Sequence, residues 1–178
     1  MGDSLPFGQA AWWLCFSALF MARGADLFST WVATPTLLLE ANPLARRMGW
    51  RWGLPINLGL CLIFAFFPLP GIIIATTSAF VAARNFQQAW LMRSWGEEPY
   101  RAWHVERLLH APVGLVVGCL VLQNVLVGSI GIILAWSAVT GSSILLVPFG
   151  IGLGIMTYAI TVVFYTLLAL WRIRRSPF

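Results

Sequence analysis

The feature that most constrains this chain is a set of long apolar runs, the clearest at residues 111–139 and 146–171. About 20 mostly apolar residues in a helix cross the hydrocarbon core of a bilayer. Inside that core every backbone amide must be bonded within the protein, so such runs fold as helices. Of the 178 residues 60% are hydrophobic and only 10% charged, with a mean hydropathy of +0.83. This excludes a soluble globular domain and implies an all-α, polytopic membrane helical bundle forming a single transmembrane domain over 1–178. Five transmembrane helices are predicted, at about 7–32, 53–67, 71–95, 111–139 and 146–171, with interfacial segments at about 37–52 and 97–110.

Local chemistry sets the boundaries. The first run lacks a basic leader and is expected to be a retained helix rather than a cleaved signal. Thr34-Pro35 should end it, because the residue before Pro is pushed out of the α region. Asn42-Pro43 reads as N-cap then first helical residue, opening a short helix over 44–48 that stops at Gly49. Pro68-Leu69-Pro70 is expected to be a tight connection, and 140–143 a short turn. Residues 100–109 can form an amphipathic surface helix, and the long fourth run should tilt or break near 128–131. Ala75, Ala79 and Ala83, Gly114-x-x-x-Gly118 and Gly150-x-x-x-Gly154 are small-residue stripes suited to close helix packing. No internal repeat is evident, which disfavours an inverted-repeat transporter.

The net charge of +5 comes from eleven Arg, with no Lys, against six acidic residues. Five helices place 37–52, 93–110 and the C-terminal tail on one side, and every Arg outside a helix falls there. By the positive-inside rule the N-terminus is outside and the C-terminus cytoplasmic. Topology thus accounts for the basic charge, and no nucleic-acid partner is expected. Nine of the ten Trp fit the implied interfaces, Trp90 being the other. The Arg-only, Ala- and Gly-rich usage hints at a bacterial protein of the inner (plasma) membrane, multi-pass. Cys15, Cys61 and Cys119 each lie within apolar runs without metal-binding spacing and read as small hydrophobes.

Against this background Arg23 and Asp26 are anomalous, since a charge in hydrocarbon costs several kcal/mol unless paired or hydrated. Arg23, Asp26 and Thr30 share a helical face. Topology places Glu40, Asn42, Asn57, Arg84, Asn85 and Gln88 in the same cytoplasmic-half layer, with Gln123-Asn124 at its top. Asp26 should pair with Arg84 or Arg23. The layer is either a packing network, each interhelical hydrogen bond contributing roughly 0.6–2 kcal/mol, or a ligand pocket.

The pattern Asp26-x-x-x-Thr30 followed by Glu40-x-Asn42-Pro43 resembles a family of small prokaryotic integral membrane proteins of unknown function. The resemblance covers roughly residues 20–90. It implies that these positions matter in a membrane-helical domain, and carries no activity with it.

Other chemistries are weaker. His104, Glu106 and His110 have metal-ligand side chains but match no standard spacing, and Glu106 and His110 are placed to pair at i, i+4. No cofactor is expected, and haem is disfavoured because both His lie near an interface. The most favoured function is a non-enzymatic membrane module, either an accessory or assembly subunit or a small-ligand binding element. Its partners would be the lipid bilayer and a membrane protein or a second copy. An enzyme acting on a lipid or polyprenyl substrate is the alternative, with Asp26 or Glu40 as base and Arg84 or Arg46 on a phosphate. A small oligomeric transporter comes third.

Overall fold

The computed structural model of the chain describes residues 4–40, 42–140 and 143–175. Among these it is wholly helical, with six helices: α1 Ala10–Ala33, α2 Pro43–Phe64, α3 Pro68–Trp95, α4 Glu97–His110, α5 Val113–Val139 and α6 Leu146–Arg175. Three of them, α3, α5 and α6, are long and apolar enough to cross a membrane. The chain is therefore read as a membrane protein. Leu122, Leu126, Ile130, Ile133 and Trp136 of α5 are all exposed, whereas Asn57, Ser78 and Asn124 are buried. That inversion of the soluble pattern is expected when the solvent is lipid.

The helix ends follow local chemistry. Thr34 leaves the helical region before Pro35 and ends α1. The Asn42 side chain accepts from the Leu44 N–H and caps α2, with Pro43 in the first turn. Gly49 then adopts φ 62° and ψ −174°, so α2 is two helical pieces joined at a kink. A side chain there would be strained. Gly96, at φ 85°, makes the turn from α3 into α4 in the same way.

Three expectations need correction, and an alternative left open is decided. Pro68 to Pro70 form the first turn of α3 instead of a separate connection, because a missing N–H costs nothing there. Of the two alternatives for the fourth apolar run, tilt or a break, the break is absent, since α5 is continuous through Gly128 to Gly131. The surface helix α4 starts at Glu97, three residues before the expected Tyr100. Ala79 and Ala83 are exposed, while α3 buries Gly71, Ser78, Ala82 and Ala89 instead. Within the expected 140–143 turn, Gly141 and Ser142 lie outside the described residues.

The helices run side by side in the order α2, α1, α3, α6, α5, with α4 against the ends of α3 and α6. Trp12, Leu19, Cys61 and Ala65 form one buried cluster between α1 and the end of α2. Glycines set the spacing of α6. A Cβ on Gly154 would lie 2.6 Å from Thr76 Cβ of α3, and one on Gly152 2.6 Å from Gly131 O of α5. Gly114 and Gly118 face open space. The same motif thus packs within the chain in α6 and is unused in α5.

Candidate functional site

A cleft of about 430 Å³ opens among α1, the 34–42 loop, α2, α3 and α6. Helical spacing explains which residues reach it. On α1 they are Arg23, Asp26 and Thr30, and on α3 they include Ser78, Arg84, Asn85 and Gln88. Asn57 comes from α2, while Glu40 and Asn42 come from the loop before it. All nine expected polar residues therefore line one cavity. Gln123 and Asn124 do not, because α5 lies on the far side of α6 and the Asn124 amide donates to Leu120 O of its own helix. Arg46 is exposed and outside the cleft.

Arg23 is consumed by the fold. Its Nη1 donates to Asp26 Oδ2 at 2.7 Å and to Ser78 Oγ at 3.1 Å. Its Nε donates to Asn57 Oδ1 at 3.0 Å, and Nη2 reaches the same oxygen. One guanidinium thus ties α1 to α2 and α3 and neutralises Asp26. The expected pairing of Asp26 is with Arg23 alone, three residues away, because that guanidinium is already held over the carboxylate by Asn57 and Ser78. Asn85 Nδ2 bridges back to α1, donating at 3.2 Å to both Ser29 Oγ and Thr30 Oγ1.

Arg84 differs. It lines the cleft, yet its side chain makes no hydrogen bond or ion pair among the described residues. Glu40 Oε1 accepts from the Asn42 N–H at 2.8 Å. Burial pushes the Glu40 carboxyl above the usual range, with that N–H opposing the rise.

Several lining groups were missed from sequence. Thr161, Tyr165 and Thr166 of α6 and Thr77 and Ser78 of α3 also face the cleft. Their signal was polar residues at helical spacing, Thr161 to Tyr165 and Ser78 to Asn85, within otherwise apolar runs. Thr77 Oγ1 additionally donates to Gly154 O at 3.0 Å, joining α3 to α6.

The cleft mouth is shaped by the 34–42 loop, and Glu97 of α4 holds that loop. Its carboxylate accepts from Thr36 N at 3.0 Å, Thr36 Oγ1 at 2.8 Å, Leu38 N at 3.2 Å and also Thr34 Oγ1. Partial burial raises the carboxyl pKa, but these four donors outweigh it and leave Glu97 below the usual range. A carboxylate with a lowered folded pKa stabilises above its unfolded pKa, near 4.3, and loses that contribution as pH falls through the folded value. Glu97→Gln should therefore lower hydrogen-exchange protection of the Thr36 and Leu38 amides at least about tenfold at pH 7. Below the Glu97 folded pKa the two proteins should converge. Equal protection at pH 7 would show that the contact does not hold the loop.

The three weak metal candidates do not converge. His104 stacks on Tyr100, with centroids 5.9 Å apart, and burial lowers its pKa. His110 Nδ1 contacts the Glu106 backbone oxygen at 2.8 Å, not its carboxylate. Among the described residues no three His, Cys, Asp or Glu side chains are grouped to hold a metal. No protein-family model, curated protein or solved structure matches the chain.

Proposed function

We propose that the protein is a non-enzymatic membrane module that binds a small ligand in the cleft, with Arg84 as the anchoring group. The observation that carries this reading is a cavity of about 430 Å³ in which, among the described residues, Arg84 alone of four charged side chains has no hydrogen bond or ion pair. An ionisable residue at membrane depth costs several kcal/mol when unsatisfied, so an unpartnered one supports a binding site. Cavities of this size take small molecules. The enzymatic alternative has less support, since Asp26 is held by Arg23 and Glu40 by the Asn42 amide.

The membrane setting belongs to the same proposal. The crossing helices are α1, the part of α2 after Gly49, α3, α5 and α6, with the start of α2 and α4 in the headgroup region. The Arg pattern then puts the N-terminus outside, the C-terminus in the cytoplasm of a bacterial cell, and the cleft in the cytoplasmic half. The Asp26/Thr30 and Glu40-x-Asn42-Pro43 resemblance supports a prokaryotic membrane family whose signature lines this cleft.

Thermal unfolding of purified protein in detergent tests the function, against inorganic phosphate, sn-glycerol 3-phosphate and small carboxylates. A ligand present at a hundred times its Kd stabilises by about 2.7 kcal/mol. At least one of these anions should raise the melting temperature of the wild type and leave that of Arg84→Gln unmoved. If none distinguishes the two proteins, the cleft is not an anion-binding site.

A further inference from the structure

We propose that the cleft and an apolar groove beside it form one site for a phosphate-ester lipid, its head on Arg84 and a chain between α1 and α2. This rests on the cleft being a ligand site and names the ligand class. The groove is about 660 Å³ and is walled by Phe20, Leu27, Phe28, Leu54 and Leu58. Phe20, Phe28, Leu54 and Leu58 are exposed, so the groove opens sideways from the bundle, where lipid chains are. Gly24 forms part of its floor, and a Cβ there would meet nothing within 4 Å.

The two volumes meet at a strut. Arg23, Asn57, Leu27 and Trp50 line both, and the Arg23–Asn57 hydrogen bond stands between them. A ligand passing around that strut has a polar end in the cleft and an apolar end in the groove. Charge selects the head. Asp26 is paired with Arg23 and Glu40 accepts the Asn42 N–H, whereas Arg84 has no hydrogen bond or ion pair among the described residues, and its planar guanidinium can hold phosphate oxygens two at a time. A free anion would leave the groove unused, and a neutral lipid would leave Arg84 unsatisfied. Only an amphiphile with an anionic head uses both.

Native mass spectrometry of the full chain released from detergent tests this with phosphatidylglycerol, diacylglycerol of the same chains and sn-glycerol 3-phosphate. The wild type should hold phosphatidylglycerol at least about tenfold more tightly than either of the others. Arg84→Gln should lose at least about tenfold for phosphatidylglycerol and nothing for diacylglycerol. Gly24→Leu, which fills the groove, should lose as much for phosphatidylglycerol and nothing for glycerol phosphate. If that variant melts below the wild type, Leu58→Trp blocks the groove from the opposite wall. Phosphatidylglycerol retained equally by all variants would be ordinary surrounding lipid, and the proposal fails. Arg84-dependent binding of glycerol phosphate at the strength of the lipid, insensitive to the groove variants, overturns the lipid site and leaves the cleft reading standing. If no ligand depends on Arg84, both fail.

Discussion

Arg23→Gln should destabilise the protein by about 3 kcal/mol or more, because removing one partner of a largely buried ion pair leaves the other charge uncompensated. The Asp26 side chain is 14% exposed and would lose its only ion-pair partner among the described residues. Asn57 Oδ1 and Ser78 Oγ would lose their donor together, loosening α2 and α3 from α1 at one level. Arg84→Gln, six residues after Ser78 on α3, should be at least as stable as the wild type, since it breaks no bond the structure shows and removes an unpartnered charge. Denaturant unfolding in one detergent measures both. Equal losses would mean that Arg84 is structural after all. A harmless Arg23→Gln would mean that the α1–α2–α3 tie contributes little.

The second large effect lies at the α5–α6 contact. A Cβ on Gly152 would be 2.6 Å from Ala135 N and from Gly131 O, and 2.9 Å from Ala135 Cβ. The obstructing atoms are mostly backbone, so no side chain can rotate away and the helices must separate. Overpacking costs about 1–3 kcal/mol where side chains can adjust. Gly152→Val should reach the top of that range or exceed it, since separation also forfeits contacts along the pair. Gly118→Val is the control on α5, with nothing within 4 Å of its Cβ. It should stay within about 0.5 kcal/mol of the wild type in the isolated chain. Loss of a larger assembly with unchanged unfolding would instead show that a partner packs on that stripe. Indistinguishable stability of the two variants would contradict the close α5–α6 approach.

What could be read from the chain was governed by how local the cause was. The end of α1 at Thr34, the Asn42 cap and the break at Gly49 each depend on a few neighbouring residues, and each was visible in sequence. Helical spacing likewise assembled the nine polar residues that share the cleft. Choices between equivalent partners were not visible. Arg23 and Arg84 are both within reach of Asp26 by depth alone, and only the placement of Asn57 and Ser78 decides between them. The motifs Gly114-x-x-x-Gly118 and Gly150-x-x-x-Gly154 read alike, yet only the second meets another helix at close range. The Glu97 contact joins loop and α4 residues about sixty positions apart, and no periodicity announces it. The cleft face of α6 was readable but was hidden by the strength of the apolar signal around Thr161 and Tyr165.

The central claim is that the cleft is wet, is reached from the cytoplasmic face and presents Arg84 as its cation without a bonded partner among the described residues. Thr161 of α6 lines it. Thr161→Cys, with Cys15, Cys61 and Cys119 replaced by Ala, offers one thiol to membrane-impermeant thiosulfonates of either charge. In inside-out vesicles the anionic reagent should modify position 161 about tenfold faster than the cationic one. Right-side-out vesicles should be inert, and Arg84→Gln should abolish the charge preference. No reaction from the cytoplasmic face, or a preference for the cationic reagent that Arg84→Gln leaves unchanged, would contradict the account.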